Sequence, residues 1–292
     1  MDWSRSRAAV PRFEFLAHAG STNDVLRDAA TGSEAADWPH GAIVVTDDQT
    51  AGRGRLGRTW FAPSGKTLAI SLLVRPAGAG GRMLPPDALG WIPLIAGAAM
   101  TEAARRAVAA ATEAGAAVEE APAPAGTTSG DDGPGGVEVE LKWPNDVLVS
   151  GYKLCGILTE LAPGGDAIIV GAGLNLTLDE HDLPAITATS LLLATGREPD
   201  ADAVLADYLS GFLAAYATFA EAGGDAERSG TADWVRGLCG TLDADVRVEL
   251  PGGGELVGTA EAIDGDGRLV VREHETGEPQ AVSAGDVTHL RY

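Results

Sequence analysis

The sequence predicts an α+β fold in two units: a larger one in which a mixed or antiparallel sheet carries helices, and a small all-β one at the C-terminal end. Three observations predict it. Between Val137 and Leu176, strand-like runs follow one another through short Pro, Gly, Asn and Asp turns, which gives a meander of antiparallel neighbours and not the βαβ alternation of a doubly wound sheet. Two long segments, Leu89 to Val108 and Asp202 to Ala222, place apolar and small residues at helical spacing. After Leu238 the chain changes to short strands and glycine turns, and about fifty residues of that style suit a small SH3-like barrel.

In chain order, Arg12 to Ala17 reads as a short strand. Ser21, with Asp24 three residues on, fits a capping box that opens a helix through Val25, Leu26, Ala29 and Ala30. Ala42 to Thr46 and Leu68 to Val74 are apolar runs of strand length. Pro93 falls near the first turn of the Leu89 helix, where a missing amide does no harm. From about 110 to 136 the composition turns to Ala, Gly, Pro, Thr and acids, which predicts a disordered or flexible insertion. Val137 to Lys142 alternates as a half-exposed strand, Val147 to Val149 resumes it, and Tyr152 to Leu161 and Ala167 to Leu176 continue the meander. Residues 1–237 form the predicted larger unit. Residues 238–292 form the barrel, with strands expected at Asp245–Leu250, Glu255–Ile263, Arg268–Glu273, Gln280–Ser283 and Val287–Leu290.

The chain carries 42 acids against 21 bases, a net charge of −21 over 292 residues. That balance argues against a sequence-independent grip on nucleic acid or an anionic membrane. Cys155 and Cys239 are too few for a disulfide scaffold, no signal-peptide core opens the chain, and no run of about twenty apolar residues occurs. A reduced, cytoplasmic protein is expected.

Against that acidic background the stretch Gly52 to Trp60, GRGRLGRTW, concentrates Arg53, Arg55 and Arg58 among Gly52, Gly54 and Gly57. Guanidinium forks pair with carboxylates and phosphates, and glycines leave a loop loosely held until something binds, so a closing loop and an anionic ligand are expected. The spacing imitates a dinucleotide fingerprint. However, Asp47 to Thr50 intervene after the strand, and Phe61-Ala62-Pro63-Ser64-Gly65 cannot open a regular helix. Gly65-Lys66-Thr67 imitates the end of a phosphate-binding loop, but the first glycine that motif requires falls at Trp60. Lys153 lies among Leu154, Cys155, Ile157 and Leu158, where its charge needs a partner, and a bound anion would serve. Asn145 and Asp146 stand on the turn set by Trp143-Pro144. A carboxylate there suits magnesium or proton acceptance, and an ordinary Asn-Asp turn would account for the pair equally well if it stood alone.

Taken together and in order, Ser21-Thr22-Asn23, GRGRLGRTW, Lys142-Trp143-Pro144-Asn145-Asp146, the Gly151-to-Leu158 segment and GAGLNL at 171–176 resemble the biotin protein ligases, over essentially residues 12–290. The resemblance implies a catalytic domain related to class II aminoacyl-tRNA synthetases followed by an SH3-like domain. It implies that biotin and ATP form biotinyl-5′-AMP with release of pyrophosphate, and that the biotinyl group passes to a lysine of a biotin carboxyl carrier domain. By matching motif, Ser21, Thr22, Asn23 and Gln49 would bind the biotin ring. Arg53, Gly54 and Arg55 would close over biotin and the adenylate, and Trp60 would pack on the adenine. Asn145 and Asp146 would act at the nucleotide, Mg2+ and incoming amine. Lys153 would bridge carboxylate and α-phosphate, while Gly156 and Asn175 would line the pocket. Some relatives carry an N-terminal DNA-binding domain, and about twenty residues before Ser21 leave no room for one, so a monofunctional enzyme is expected. The alternatives are a lipoate-attaching ligase of the same fold, and a non-enzymatic scaffold whose barrel binds peptides. For the latter, Tyr292 is the sole aromatic after Trp234.

Overall fold

A computed structural model describes residues 2–76, 81, 83–116, 137–250 and 253–290. Seven strands, β1 (Phe13–Phe15), β2 (Ile43–Thr46), β3 (Thr67–Val74), β4 (Val139–Lys142), β5 (Asp146–Val149), β6 (Tyr152–Leu161) and β7 (Ile168–Asn175), form one sheet in the order β1-β2-β3-β7-β6-β5-β4. Only β1 and β2 run parallel; the rest of the sheet is antiparallel. The meander from β4 to β7 is therefore the one predicted, and β3 joins its far edge by pairing with all of β7.

Strand alternation assigns each side chain to a face, and both faces are covered. Ile43, Val45, Leu72 and Val170 face one core beneath the long helices α3 (Trp91–Ala116) and α5 (Ala201–Glu221). Val44, Leu73 and Ile169 face a smaller core under α2 (Thr22–Thr31), with Leu26 and Trp38. This two-sided burial is why β2 and β3 read as unbroken apolar runs. Among the described residues, α5 has the length and apolarity of a membrane span, yet Leu205, Tyr208, Leu209, Phe212 and Phe219 are buried in the core. Helix α3 runs on to Ala116, into the stretch expected to be an insertion; 117–136 lie outside the described residues.

Three short helices carried too weak a period to be read: α1 (Ser4–Ala9), α4 (Leu191–Thr195) and α6 (Thr231–Leu238). Helix α1 is tied down by Asp202, which accepts the Arg5 and Ser6 amides at 2.9 Å. The C-terminal unit is a five-stranded antiparallel sheet of β8 (Asp245–Glu249), β9 (Glu255–Ile263), β10 (Leu269–Glu273), β11 (Pro279–Val282) and β12 (Asp286–His289), in the order β11-β10-β9-β8-β12. It docks on the larger unit through two indoles, one at the start of α3 and one in the β4-β5 turn, with Trp91 Nε1 donating to Gly265 O at 2.8 Å and Trp143 Nε1 to Gly267 O at 3.0 Å. Thr241 Oγ1 accepts the Trp143 amide at 3.0 Å.

Candidate active site

A cavity of about 220 Å³ opens between the arginine loop, the start of α2 and the β5-β6-β7 floor. Every residue given a binding or catalytic role from the sequence lines it: Ser21, Thr22, Asn23, Gln49, Arg53, Gly54, Arg55, Trp60, Asn145, Asp146, Lys153, Gly156 and Asn175. Residues more than one hundred and fifty positions apart in the chain thus meet around one small volume.

The floor is built by the ladder. Asp146 pairs with Gly156 across β5 and β6, and a register shift after Val147 pairs Lys153 with Leu148, two positions from Asp146 along β5, so that Lys153 can reach back to the carboxylate. Lys153 Nζ lies 2.7 Å from Asp146 Oδ1, so the charge expected to need an anion has the neighbouring carboxylate as its partner. Gly171, Gly173 and Asn175 alternate along one face of β7. A methyl group at Gly171 would overlap the Asn23 amide, and one at Gly173 would overlap the Trp60 indole. At Gly156 it would come within 3.2 Å of both Lys153 Nζ and Trp60 Cζ3. The two aromatic and amide side chains thus lie directly on bare backbone. Trp60 Nε1 and Asn175 Oδ1 are buried and find no partner among the described residues, although Asn175 Nδ2 donates to Thr189 O at 2.8 Å.

At the α2 end the donors and acceptors are fixed by one another. Gln49 Oε1 accepts the Thr22 amide at 2.9 Å, and Ser71 Oγ donates to Asn23 Oδ1 at 2.6 Å. Asn23 Nδ2 donates to Glu160 Oε2 at 2.6 Å. The capping box expected of Ser21 and Asp24 does not form. Ser21 is the N-cap residue but makes no side-chain cap bond and is buried at the cavity, while Asp24 turns to Arg27 and Arg53, where two guanidiniums outcompete a backbone amide.

The arginine loop is a hairpin: Trp60 N donates to Gly52 O at 2.9 Å and Gly54 N to Arg58 O at 2.6 Å. At its tip Leu56 (φ 57°) and Gly57 (φ 75°) are both left-handed. Each arginine is held by a different element. Arg53 grips Asp24 in two-point fashion at 2.5 and 2.6 Å and reaches Glu160 at 3.3 Å. Arg55 Nη1 donates to Asn145 Oδ1 at 2.8 Å. Arg58 pairs with Asp286 of β12 at 2.5 Å.

The electrostatics follow this wiring. Arg53 beside Asp24 is the main cause that holds that carboxyl down at about 2, with Arg27 adding to it against the opposing effect of burial. Burial pushes Arg55 below its ordinary value, while Asp146 and Asp286 pull it back up. Burial would raise Asp286, but the Arg58 guanidinium outweighs it and the carboxyl is lowered. Burial raises the Cys155 thiol beneath the floor, which leaves it an inert core residue.

Sequence reasoning passed over Ser71, Glu160 and Asp286, read Asp24 only as a capping residue, and quoted Gly171 and Gly173 within GAGLNL without giving them a role. The two glycines were legible, since they share with Asn175 the alternating face of a predicted strand. Nothing near Asp286 pointed to the loop.

Residues 20–175 match the model of the biotin/lipoate A/B protein ligase family, and 241–290 match the biotin protein ligase C-terminal domain. A biotin--[acetyl-CoA-carboxylase] ligase of Mycobacterium tuberculosis is 35% identical over 96% of this chain and 90% of its own length. The bifunctional ligase/repressor BirA of Bacillus subtilis is 32% identical over 61% of this chain and 46% of that protein. Among solved structures, a biotin protein ligase from Aquifex aeolicus in complex with biotin and ATP superposes with a TM-score of 0.69 at 24% identity, covering 97% of this chain and all of that one. One from Leishmania major in complex with biotinyl-5-AMP gives 0.55 at 26% identity, covering 97% and 99%. The named C-terminal domain does not favour the lipoate alternative, and ligase relatives along nearly the whole chain set aside the scaffold reading. By the family model across more than half its length and the relative that spans almost all of it, this chain belongs to the biotin protein ligase family.

Proposed function

We propose that this cavity activates biotin with ATP to biotinyl-5′-AMP and pyrophosphate, and then transfers the biotinyl group to a lysine of a biotin carboxyl carrier domain. The observation that carries the reading is the convergence of Arg55 and Lys153 on one cavity, joined by Asn145 and Asp146. In the first step a carboxylate oxygen attacks the α-phosphorus and the bond to the pyrophosphate oxygen breaks, bringing like charges together. Fixed cations aimed at that charge lower the barrier, and Arg55 from the loop and Lys153 from the floor supply them, their side chains bonded to the adjacent Asn145 and Asp146. Ser21, Thr22, Asn23 and Gln49 would hold the biotin ring, with Gly156 and Asn175 beneath it. Trp60 would turn its indole to the adenine, and Arg53 and Gly54 would close the loop over the mixed anhydride and keep water from it.

In the second step the acceptor amine, once deprotonated, attacks the anhydride carbonyl and AMP departs. Asp146 would accept the proton, as Lys153 moves from it to the phosphate. Among the described residues there is no cluster of three potential metal-ligating side chains. A hard ion that arrives with the nucleotide would find the Asp146 carboxylate as its ligand, since the Asn145 amide oxygen already accepts from Arg55, and Mg2+ held there would offset phosphate charge. The same reading places the reaction in the cytoplasm without nucleic acid or membrane as partner. Its test is biotin-dependent exchange of labelled pyrophosphate into ATP by the purified chain. Exchange with biotin and not with lipoate is expected, and no biotin-dependent exchange would overturn the assignment.

A further inference from the structure

We propose that Asp286, on the C-terminal sheet, is a positioning residue that latches the arginine loop over the cavity through Arg58. Its bearing on catalysis rests on the ligase reading above. The latch itself rests on geometry.

Two of the loop's three arginines are held from within the larger unit, Arg53 by α2 and β6 and Arg55 by the β4-β5 turn. The third crosses to the other unit: Arg58 Nη2 lies 2.5 Å from Asp286 Oδ2, and Gly285, Asp286 and Arg58 all line the cavity. The loop tip has little else to hold it, because Leu56 is 64% exposed in a left-handed conformation that costs L-residues energy. The carboxylate, by contrast, is presented by a built support. Asp286 opens β12 opposite Glu249 of β8. A side chain on Gly285 would run into Val248 Cγ1 at 2.6 Å and Glu249 O at 3.0 Å, so the turn that aims Asp286 is pressed against β8. The sheet behind it is fixed by the Trp91 and Trp143 indoles. A rigidly placed anion therefore meets a loosely placed cation, and the pair sets how readily the loop opens.

With side chains 60% and 34% exposed, the pair is a solvent-screened one, so its loss changes an opening equilibrium by about two- to five-fold. The experiment is limited trypsin digestion of the full ligand-free chain, with the cut after Arg55 followed by mass spectrometry in Asp286→Asn, Asp286→Glu, Arg58→Gln and the Asp286→Asn/Arg58→Gln double variant. Cleavage is expected to speed up by that factor in each neutral single variant, no further in the double, and to stay near the wild-type rate in Asp286→Glu. Biotin-dependent exchange should fall in the same pattern, with Asp286→Glu retaining it. Unchanged cleavage in both neutral single variants, or independent effects that multiply in the double, would overturn the latch. Absence of exchange in the wild-type chain counts against the ligase reading alone and leaves the cleavage comparison standing.

Discussion

The two halves of the cavity are held together by different physics. On the β5-β6-β7 floor, position comes from ladder register and from glycines whose missing side chains admit Trp60, Asn23 and Lys153. In the loop above it, position comes from three ion or hydrogen-bonded pairs to three separate elements, around a tip with two successive left-handed residues. The floor is therefore a preorganised surface, whereas the loop is an assembly of exposed and half-buried polar contacts that ligand charge can compete for. A site that must admit two anions, seal them and release a product needs both kinds of wall.

The comparison breaks most sharply at Lys153, the one cation the floor supplies. Lys153→Ala is expected to lower adenylate formation by about 100-fold or more, the scale of losing one donor to developing charge. Near-normal biotinyl-adenylate formation in a single-turnover assay would remove Lys153 from the mechanism. Next comes a pair of glycines that should behave oppositely. Gly173→Ala drives a methyl group into the Trp60 indole and is expected to cost about 1–3 kcal/mol in denaturant unfolding, as overpacking does. Gly57→Ala has open space around it and pays only for its φ of 75°, about 1 kcal/mol. If the two cost the same, the distinction between a packed floor and a conformational loop fails.

A smaller effect concerns closure. Biotin plus ATP is expected to suppress proteolysis between Arg53 and Arg58, and equal cutting with and without ligands would show that the loop does not close on them. The smallest effect is acid sensitivity at the Arg53 grip. Asp24 is held at about 2 against an ordinary 3.8, so the stabilisation it gives is complete above its unfolded value and is lost as pH falls toward 2. The stability difference between wild type and Asp24→Asn should accordingly narrow below about pH 4 and go on shrinking as the pH falls through 2, read by urea midpoints. A difference that grew with acid would reverse the sign of the argument.

What the sequence made legible follows the same division. The meander and the long helices were readable because strand alternation and helical spacing are local signals, and clustered charge pointed to the arginine loop and Lys153; the rest of the thirteen cavity residues came from the motifs shared with the biotin protein ligases. The partners of those residues were not. Asp24 looked like a capping residue, since nothing local says that Arg53, far along the chain, will claim it. The carboxylate neutralising Lys153 became visible only through the register shift at Val147, which no composition encodes. Asp286 is one of many acids in an acidic chain, and only the docking of two sheets selects it. Helices α1, α4 and α6 escaped because fewer than three turns carry no period to read.

The bare stripe along β7 has a consequence for selectivity. Where walls are made of absent side chains, the aperture is quantised in methyl groups, and any single replacement at 171 or 173 must evict a neighbouring amide or indole before it can shape a ligand. New substrates are thus more easily reached by enlarging the rim than by re-carving the base, because the base has nothing left to remove.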